Sequence, residues 1–240
     1  RAVADCRDVY HIAALYRSAR QSDRMYWRVN VEGTEHVLQA AREHGCRRVV
    51  HCSTAGVHGE IDCVPADEES PLRPGDIYQT TKLEGERAAQ CAFADGLAGT
   101  VVRPVGIYGP GDTRFLKLFR AIHHGRFRMI GSGEVQYHLT FIDDLVDGII
   151  RAGETPEAVG RTYLLAGPRY TSIEELAGLI GRAVGAGAAG RHVPLWPVKV
   201  AATACEGLCR PLRIEPPLHR SRLDFFTKDR AFSTQQAREE

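Results

Sequence analysis

The spacing of apolar and polar positions changes period repeatedly along this chain. Residues 8–14, DVYHIAA, form a short apolar run ending on small residues, the pattern of a strand. Between residues 23 and 45, Val29, Val37, Leu38 and Ala41 fall on one stripe and Gly45 follows, which predicts a long helix with a glycine stop. Residues 48–52, RVVHC, read as a β-branched strand running into Ser53 and Thr54. Residues 71–75 read as a turn. Asp76 is then placed to cap a helix reaching about residue 95, with Gln79 in the capping-box position. Residues 100–104 and 161–166 read as further strands. Such alternation predicts βαβ units and a parallel sheet, the α/β class. Beyond Pro168 the pattern changes to a helix over 172–184, a Gly/Ala stretch, an extended piece at 191–194 and a proline-rich segment. That change predicts a second lobe, with Ser233 placed to cap a last helix.

Composition narrows the function classes. The 240 residues are 43% hydrophobic and 25% charged, with a net charge of +1. This balance is ordinary for a globular protein and gives no bulk attraction to nucleic acid or anionic membrane. No apolar run approaches the roughly 18 residues of a membrane span, and no signal-peptide pattern is visible. Seven cysteines follow no framework spacing. Cys205 and Cys209, one helical turn apart, are expected to pack on a helix face rather than bind metal, and reduced thiols suit a cytoplasmic protein.

Residues 185–190, GAGAAG, spell the G-x-G-x-x-G phosphate-binding pattern. That mechanism needs a strand before the glycines and a helix after them, so that the helix N-terminus faces the phosphates. Here the predicted order is helix, glycines, strand. The segment is therefore expected to be a loop, with Gly185 near the end of its helix. Gly131 and Gly133 are likewise expected in a turn.

Tyr78 and Lys82 carry the stronger chemical signal. Four residues apart on a helix, they share a face. A nearby ammonium favours tyrosinate, and a phenol so placed can exchange a proton with a secondary alcohol while hydride moves at the carbon. Ser53 and Thr54 lie at the carboxyl end of a predicted strand, where ligands bind in α/β folds.

Together with HIAA (11–14), NVEGT (30–34), STAGVHG (53–59), RPVGIYGP (103–110) and FIDD (141–144), the Y-x-x-x-K of Tyr78 and Lys82 resembles the extended short-chain dehydrogenase/reductases. This is the NAD-dependent epimerase/dehydratase and 3β-hydroxysteroid dehydrogenase group. The resemblance implies a doubly wound Rossmann-type sheet with a smaller C-terminal substrate lobe, divided as 1–105 and 139–167 against 106–138 and 168–240. It implies NAD or NADP, no metal, and a homodimer through helices 23–45 and 76–95, with Ala88, Ala89 and Ala92 permitting close approach. Tyr78 would be the acid/base and Lys82 would tune it and bind the nicotinamide ribose. Thr54 would orient the substrate oxygen, with Ser53 the alternative holder and near the cofactor. Ala13 and Ala14 would bring backbone close to the cofactor, Asn30 would lie nearby, and Pro104 would approach the nicotinamide. Asp143 and Asp144 are expected to cap a helix.

Departures from the family pattern bear on the substrate, a nucleotide sugar or a 3β-hydroxysteroid-like alcohol. Ala55 and Gly56 stand where dehydrating members carry Asp and Glu, which disfavours 4,6-dehydration. Gly106 stands where nucleotide-sugar epimerases often have Asn. Tyr137, with His138 beside it, takes the place of a diphosphate-binding Arg. The basic run Arg114, Lys117, Arg120, His123 and His124 is expected to be a solvated helix face. The alternative to an oxidoreductase is a non-catalytic member that keeps the fold as a binding or scaffold module. The family's glycine-rich phosphate turn is not found before Asp8, so its first three strands are expected to be missing. An unpaired sheet edge at residues 9–12 and weak cofactor binding by residues 1–240 alone are the corresponding expectations.

Overall fold

The computed structural model describes residues 3–16, 18, 21–186, 190–209 and 220–240, with the side chains of 206–209 and 220–222 left aside. In chain order the elements are β1 (Asp8–His11), α1 (Asp23–Trp27), α2 (Gly33–Glu43), β2 (Arg48–Cys52), α3 (Ile77–Ala94), β3 (Gly99–Pro104) and β4 (Gly106–Tyr108). There follow α4 (Thr113–His123), β5 (Met129–Ile130), β6 (Gln136–Tyr137), β7 (Leu139–Phe141), α5 (Ile142–Glu154) and β8 (Thr162–Leu165). The last are β9 (Thr171–Ser172), α6 (Ile173–Ala183), β10 (His192–Val193), α7 (Leu195–Cys209), α8 (Arg220–Thr227) and α9 (Gln235–Glu239). They form two units: Arg1–Gly109, His138–Pro168 and Phe232–Glu240 in the first, Pro110–Tyr137 and Arg169–Ala231 in the second. Phe232–Glu240, expected in the smaller lobe, thus lies with the first unit. There the backbone at Ala66 bridges Phe232, and the Arg238 side chain donates to Pro168 O.

The first unit is built on a four-stranded sheet of order β1-β2-β3-β8, every pair parallel. Successive strand residues point to opposite faces, and the sequence places apolar side chains on both. Val49 and Val101 join Leu38, Ala41 and Ala89 beneath α2 and α3. Val50 and Val102, one residue on, join Leu145, Ile149 and Ala152 beneath α5. Helices thus cover both faces, the doubly wound arrangement that the alternating pattern predicts. Among the described residues β1 pairs only with β2 and forms one edge of this sheet. Tyr10 (37%) is exposed on it, and Ile12 (55%) just past its end.

Several local details differ from the sequence reading. The strand expected over 8–14 ends at His11, and Ala13 and Ala14 continue as exposed coil. The helix expected over 23–45 is interrupted by a π-helical turn, Arg28–Glu32, between α1 and α2. Asp143 and Asp144 do not cap α5; Phe141 occupies the N-cap, and the two carboxylates lie in the first turn, where the helix dipole favours negative charge. Thr234, not Ser233, is the N-cap of α9, though Ser233 Oγ accepts from Gln235 N at 3.3 Å. Ala89 is fully buried beneath α3 and cannot serve a contact between copies; Ala88 and Ala92 are partly buried against the same cluster.

In the second unit α4 packs on α6, and short β-pairs join β5 to β10 and β6 to β9. Tyr137 is buried against the rings of Phe115 and Phe225, with the Arg230 guanidinium over its face. Arg114, Lys117, Arg120, His123 and His124 lie on the exposed side of this unit, as a solvated face should. The GAGAAG segment follows α6 and precedes β10, the order that excludes a phosphate cradle. Gly185 takes a left-handed φ of 66° just past α6, and a Cβ on Gly190 would meet Phe127 O at 1.9 Å. Residues 187–189 lie outside the described residues, as does the side chain of Cys209; Cys205 is a free, partly exposed thiol. Gly131 and Gly133, with φ of 82° and 80°, make the expected turn. Among the described residues no cluster of His, Cys, Asp or Glu could hold a metal, and no helix is long and apolar enough to cross a membrane.

Candidate active site

The candidate site forms at the carboxyl end of β2. The strand ends at Cys52, and Ser53 stays tied to the sheet by its N–H to Val102 O at 2.7 Å. Thr54 is extended, with φ of −158°, and caps the 3₁₀ turn Ala55–His58 by accepting from Gly56 N at 3.1 Å. A hydroxyl that accepts in this way keeps its own proton to donate. That proton has no acceptor among the described residues.

The start of α3 delivers Tyr78 and Lys82. Asp76 is the N-cap, its Oδ1 accepting from Gln79 N at 2.8 Å. Gln79 completes the box one residue early, its Oε1 accepting from Gly75 N at 2.7 Å. The 3₁₀ turn packs against this end of α3, and a Cβ on Gly56 would lie 3.3 Å from Gln79 Nε2. Lys82, only 2% exposed, crosses to β2 and donates from Nζ to Cys52 O at 2.6 Å. Its ammonium therefore sits beside Ser53 and Thr54, the residues that follow. Burial pulls the Lys82 pKa below the ordinary lysine range, with Cys52 and Glu86 opposing. Tyr78 is half-buried, its ring edge-on to Tyr16 with centroids 5.0 Å apart.

Asn30 is a junction. It is 1% exposed, in the π-helical turn. Its Oδ1 accepts from Leu15 N at 2.7 Å, and its Nδ2 donates to Leu15 O at 3.2 Å and Thr81 Oγ1 at 3.1 Å. It thereby holds the segment carrying Ala13 and Ala14 against the helix that carries Tyr78 and Lys82. Pro104 is buried at the end of β3.

Two features escaped the sequence reading. One is a groove of about 580 Å³ at the end of β1, lined by His11, Ala13, Met25, Arg28, Val29, Gly33 and Val37. Arg28 lies two residues before Asn30, and no pattern marked it. The other is a buried polar clamp: Arg103 is paired with Glu86 and also donates to Glu68 O, with its Nη1 3.3 Å from His58 Nε2. The i, i+4 spacing of Lys82 and Glu86 was the available signal for it. His138, beside the expected phosphate position, lies between the carbonyls of Phe232 and Gly167, at 3.1 and 2.9 Å.

Residues 1–166 match the NAD dependent epimerase/dehydratase family. The chain belongs to that family. It is of the extended short-chain dehydrogenase/reductase kind, as its motifs indicate. It is 34% identical over 214 residues to a 4-hydroxy-2-methyl-3-oxo-4-farnesyl-3,4-dihydroquinoline-1-oxide ketoreductase of Stigmatella aurantiaca, covering 88% of this chain and 64% of the relative. It is 32% identical over 189 residues to a UDP-glucose 4-epimerase of Mycolicibacterium smegmatis, covering 74% of this chain and 60% of the relative. The chain thus spans less than two thirds of either relative's length. A crystal structure of DesIV, a dTDP-glucose 4,6-dehydratase from Streptomyces venezuelae with NAD and TYD bound, superposes with a TM-score of 0.67 at 28% identity. That match covers 81% of this chain and 62% of the other.

Proposed function

We propose that this chain carries the acid/base site of an NAD(P)-dependent oxidoreductase that moves hydride at a secondary alcohol or ketone. The observation that carries the reading is the Lys82 Nζ bond to Cys52 O, which ties a buried ammonium on the Tyr78 helix to the strand that Ser53 and Thr54 follow. The residues fit a nicotinamide cofactor at its ribose end: Lys82 has donors beyond the one given to Cys52, and the groove at the end of β1 is bordered by Ala13 and Gly33. Lys82, Asn30, Ser53, Pro104 and the backbone at Ala13 and Ala14 would hold it. When bound, that group supplies or takes the hydride.

In the reducing direction Thr54 donates to the carbonyl oxygen and orients it. Tyr78 gives its phenolic proton to the same oxygen as the carbon receives hydride, and the Lys82 charge stabilises the phenolate left behind. Oxidation is the reverse, with the phenolate taking the alcohol proton. Two observations support a simple ketone or alcohol over a sugar dehydration. Ala55 is buried in an apolar cluster with Ala66, Leu164 and Phe232, and Gly56 is closely faced by Gln79 and Thr54. Neither position offers a carboxylate. The ketoreductase relative adds weight to a hydrophobic keto substrate.

The test uses the native polypeptide that contains this chain. Tyr78→Phe should lower NAD(P)-linked turnover by about 10²–10⁴-fold while cofactor binding persists; unchanged turnover would sink the assignment. We also infer a homodimer on the outer faces of α2 and α3, checked by sedimentation equilibrium; a monomer at micromolar concentration rules it out.

A further inference from the structure

The face of β2 beneath Lys82 holds more hydrogen-bonding capacity than its surroundings use. Residues 49, 51 and 53 alternate onto the side of the sheet that faces α2 and α3. Val49 is core there, but His51 is fully buried and Ser53 is 4% exposed. Neither ring nitrogen of His51, nor Ser53 Oγ, has a hydrogen-bond partner among the described residues. Each such group left unmatched is destabilising, because it gives up its bonds to water without replacement.

The neighbouring imidazole does not supply the partner. His11 is the register partner of His51, their ring centroids 5.5 Å apart, but His11 Nε2 is engaged with Thr34 Oγ1 at 2.9 Å. The single Thr34 hydroxyl proton goes to Asn30 O at 2.8 Å. Thr34 therefore accepts, and His11 Nε2 is the donor. Lys82 has the complementary deficit. An ammonium has three N–H donors, and Cys52 O is its only hydrogen-bond acceptor among the described residues. Cys52 sits between His51 and Ser53 in the chain, so the Lys82 donors lacking acceptors are brought to the same stretch of β2 as an imidazole and a hydroxyl lacking partners.

We propose that His51 and Ser53 hold a buried water molecule against the Lys82 ammonium, and that His51 is thereby a positioning residue for Lys82. The water accepts from Nζ and donates to the bare nitrogen of neutral His51 and to Ser53 Oγ. Three bonds are usual for a buried water. Of the three Lys82 donors, one then fixes the side chain to β2, one goes to this water, and one remains for a bound ligand. The charged and titratable groups around Lys82 are Cys52 on β2, Tyr78 and Glu86 one turn either side of it on α3, and His51 and His11 on β2 and β1. Burial first, and then the Lys82 charge, keeps both imidazoles neutral, so His51 retains the lone pair that the water needs.

The experiment reads Lys82 directly. Lysine labelled with ¹³C at Cε is followed by NMR across pH in the wild-type chain, with Lys82→Met identifying the signal. His51→Phe removes the acceptor and closes the space, so the Lys82 midpoint should move to lower pH; His51→Gln, which keeps an acceptor, should restore it. Ser53→Ala tests the same site with a smaller change, and should move the midpoint in the same direction. A crystal structure should show a water within hydrogen-bond distance of His51, Ser53 and Nζ. An unmoved Lys82 midpoint in both His51→Phe and Ser53→Ala, or a dry contact in the crystal, overturns the proposal. An accompanying shift in the pH profile of turnover rests on the function proposed above. The NMR readout does not, so failure of one is distinguishable from failure of the other.

Discussion

Arg103, at the end of β3, grips Glu86 of α3 with Nη2 to Oε1 at 2.6 Å and Nε to both carboxylate oxygens at 3.1 and 3.2 Å. The side chains are 3% and 0% exposed. Glu86 lies one turn beyond Lys82, and Arg103 also reaches His58 at the end of the turn that Thr54 opens. One buried pair thus fixes three elements of the candidate site. Losing a single partner leaves an uncompensated charge in a low-dielectric interior, which typically costs 3–5 kcal/mol. Glu86→Leu should therefore destabilise the chain by about that amount in urea unfolding. Combining it with Arg103→Met should recover much of the loss, since the second charge is then gone too. A double variant no more stable than Glu86→Leu would show that the cost lies elsewhere.

Acid should weaken the first unit through His58 and His11. Arg103 can only donate, so His58 Nε2 must be the bare nitrogen and its proton lies on Nδ1. Burial first, then the Arg103 charge, pulls the His58 pKa down to about 4. Burial and Lys82 do the same for His11, also to about 4. Unfolded histidine takes its proton near pH 6.5. Both groups therefore bind more protons unfolded than folded below that value. Their stabilisation is fully present above about pH 6.5 and declines toward pH 4, by roughly 1.4 kcal/mol per pH unit for each histidine. Glu68, pushed up by burial, works in the opposite sense. The comparison is accordingly made between variants. Urea unfolding from pH 7 to 4.5 should show a shallower pH slope in His58→Leu than in wild type, and equal slopes would contradict the assignment.

The cap of α3 gives a smaller, local prediction. Tyr78 is the second residue of that helix, so the N-terminal turn sets its entry angle. Asp76→Ala removes the acceptor for Gln79 N and should cost about 1 kcal/mol. Asp76→Asn, which keeps the acceptor, should lose markedly less. Equal losses in thermal unfolding would mean that the cap bond contributes nothing.

What the sequence disclosed about the fold is what periodicity controls. Val49 and Val50, or Val101 and Val102, form unbroken apolar pairs because helices cover both sheet faces, and that reads directly as a buried parallel sheet. Lys82 and Tyr78 share a helix face by spacing alone, and their nearness to residues 53 and 54 came from the family pattern. The π-helical turn at Asn30 left no trace in the letters, because the extra residue is set by a tertiary contact rather than by local preference. The Ala55–His58 turn agrees with the ordinary reading of Ser-Thr after a strand as a cap or turn, and Thr54 is that cap. His51 was invisible too. A histidine in a strand reads the same whether its nitrogens are partnered or not.

Helix α3 comes close to the π-helical turn at Gly85. A Cβ on Gly85 would lie 2.4 Å from Asn30 O and 3.4 Å from Thr34 Oγ1. Asn30 O is fixed by the Thr34 hydroxyl, and the Asn30 side chain is fixed by Leu15 and Thr81, so the obstacle is backbone with no freedom to yield. Gly85→Ala must push α3 away from the π-helical turn. Overpacking of this kind costs about 1–3 kcal/mol, more than the roughly 1 kcal/mol that alanine gains over glycine within a helix. The displacement should also loosen the Asn30 bonds to Leu15 and Thr81, seen as faster amide hydrogen exchange at Leu15. Gly178→Ala is the control: its Cβ would meet nothing nearer than Arg182 Nη1 at 3.7 Å, so the helix-propensity gain should appear unopposed. If Gly85→Ala proves as stable as Gly178→Ala, with Leu15 exchange unchanged, the close contact does not hold these two helices in place.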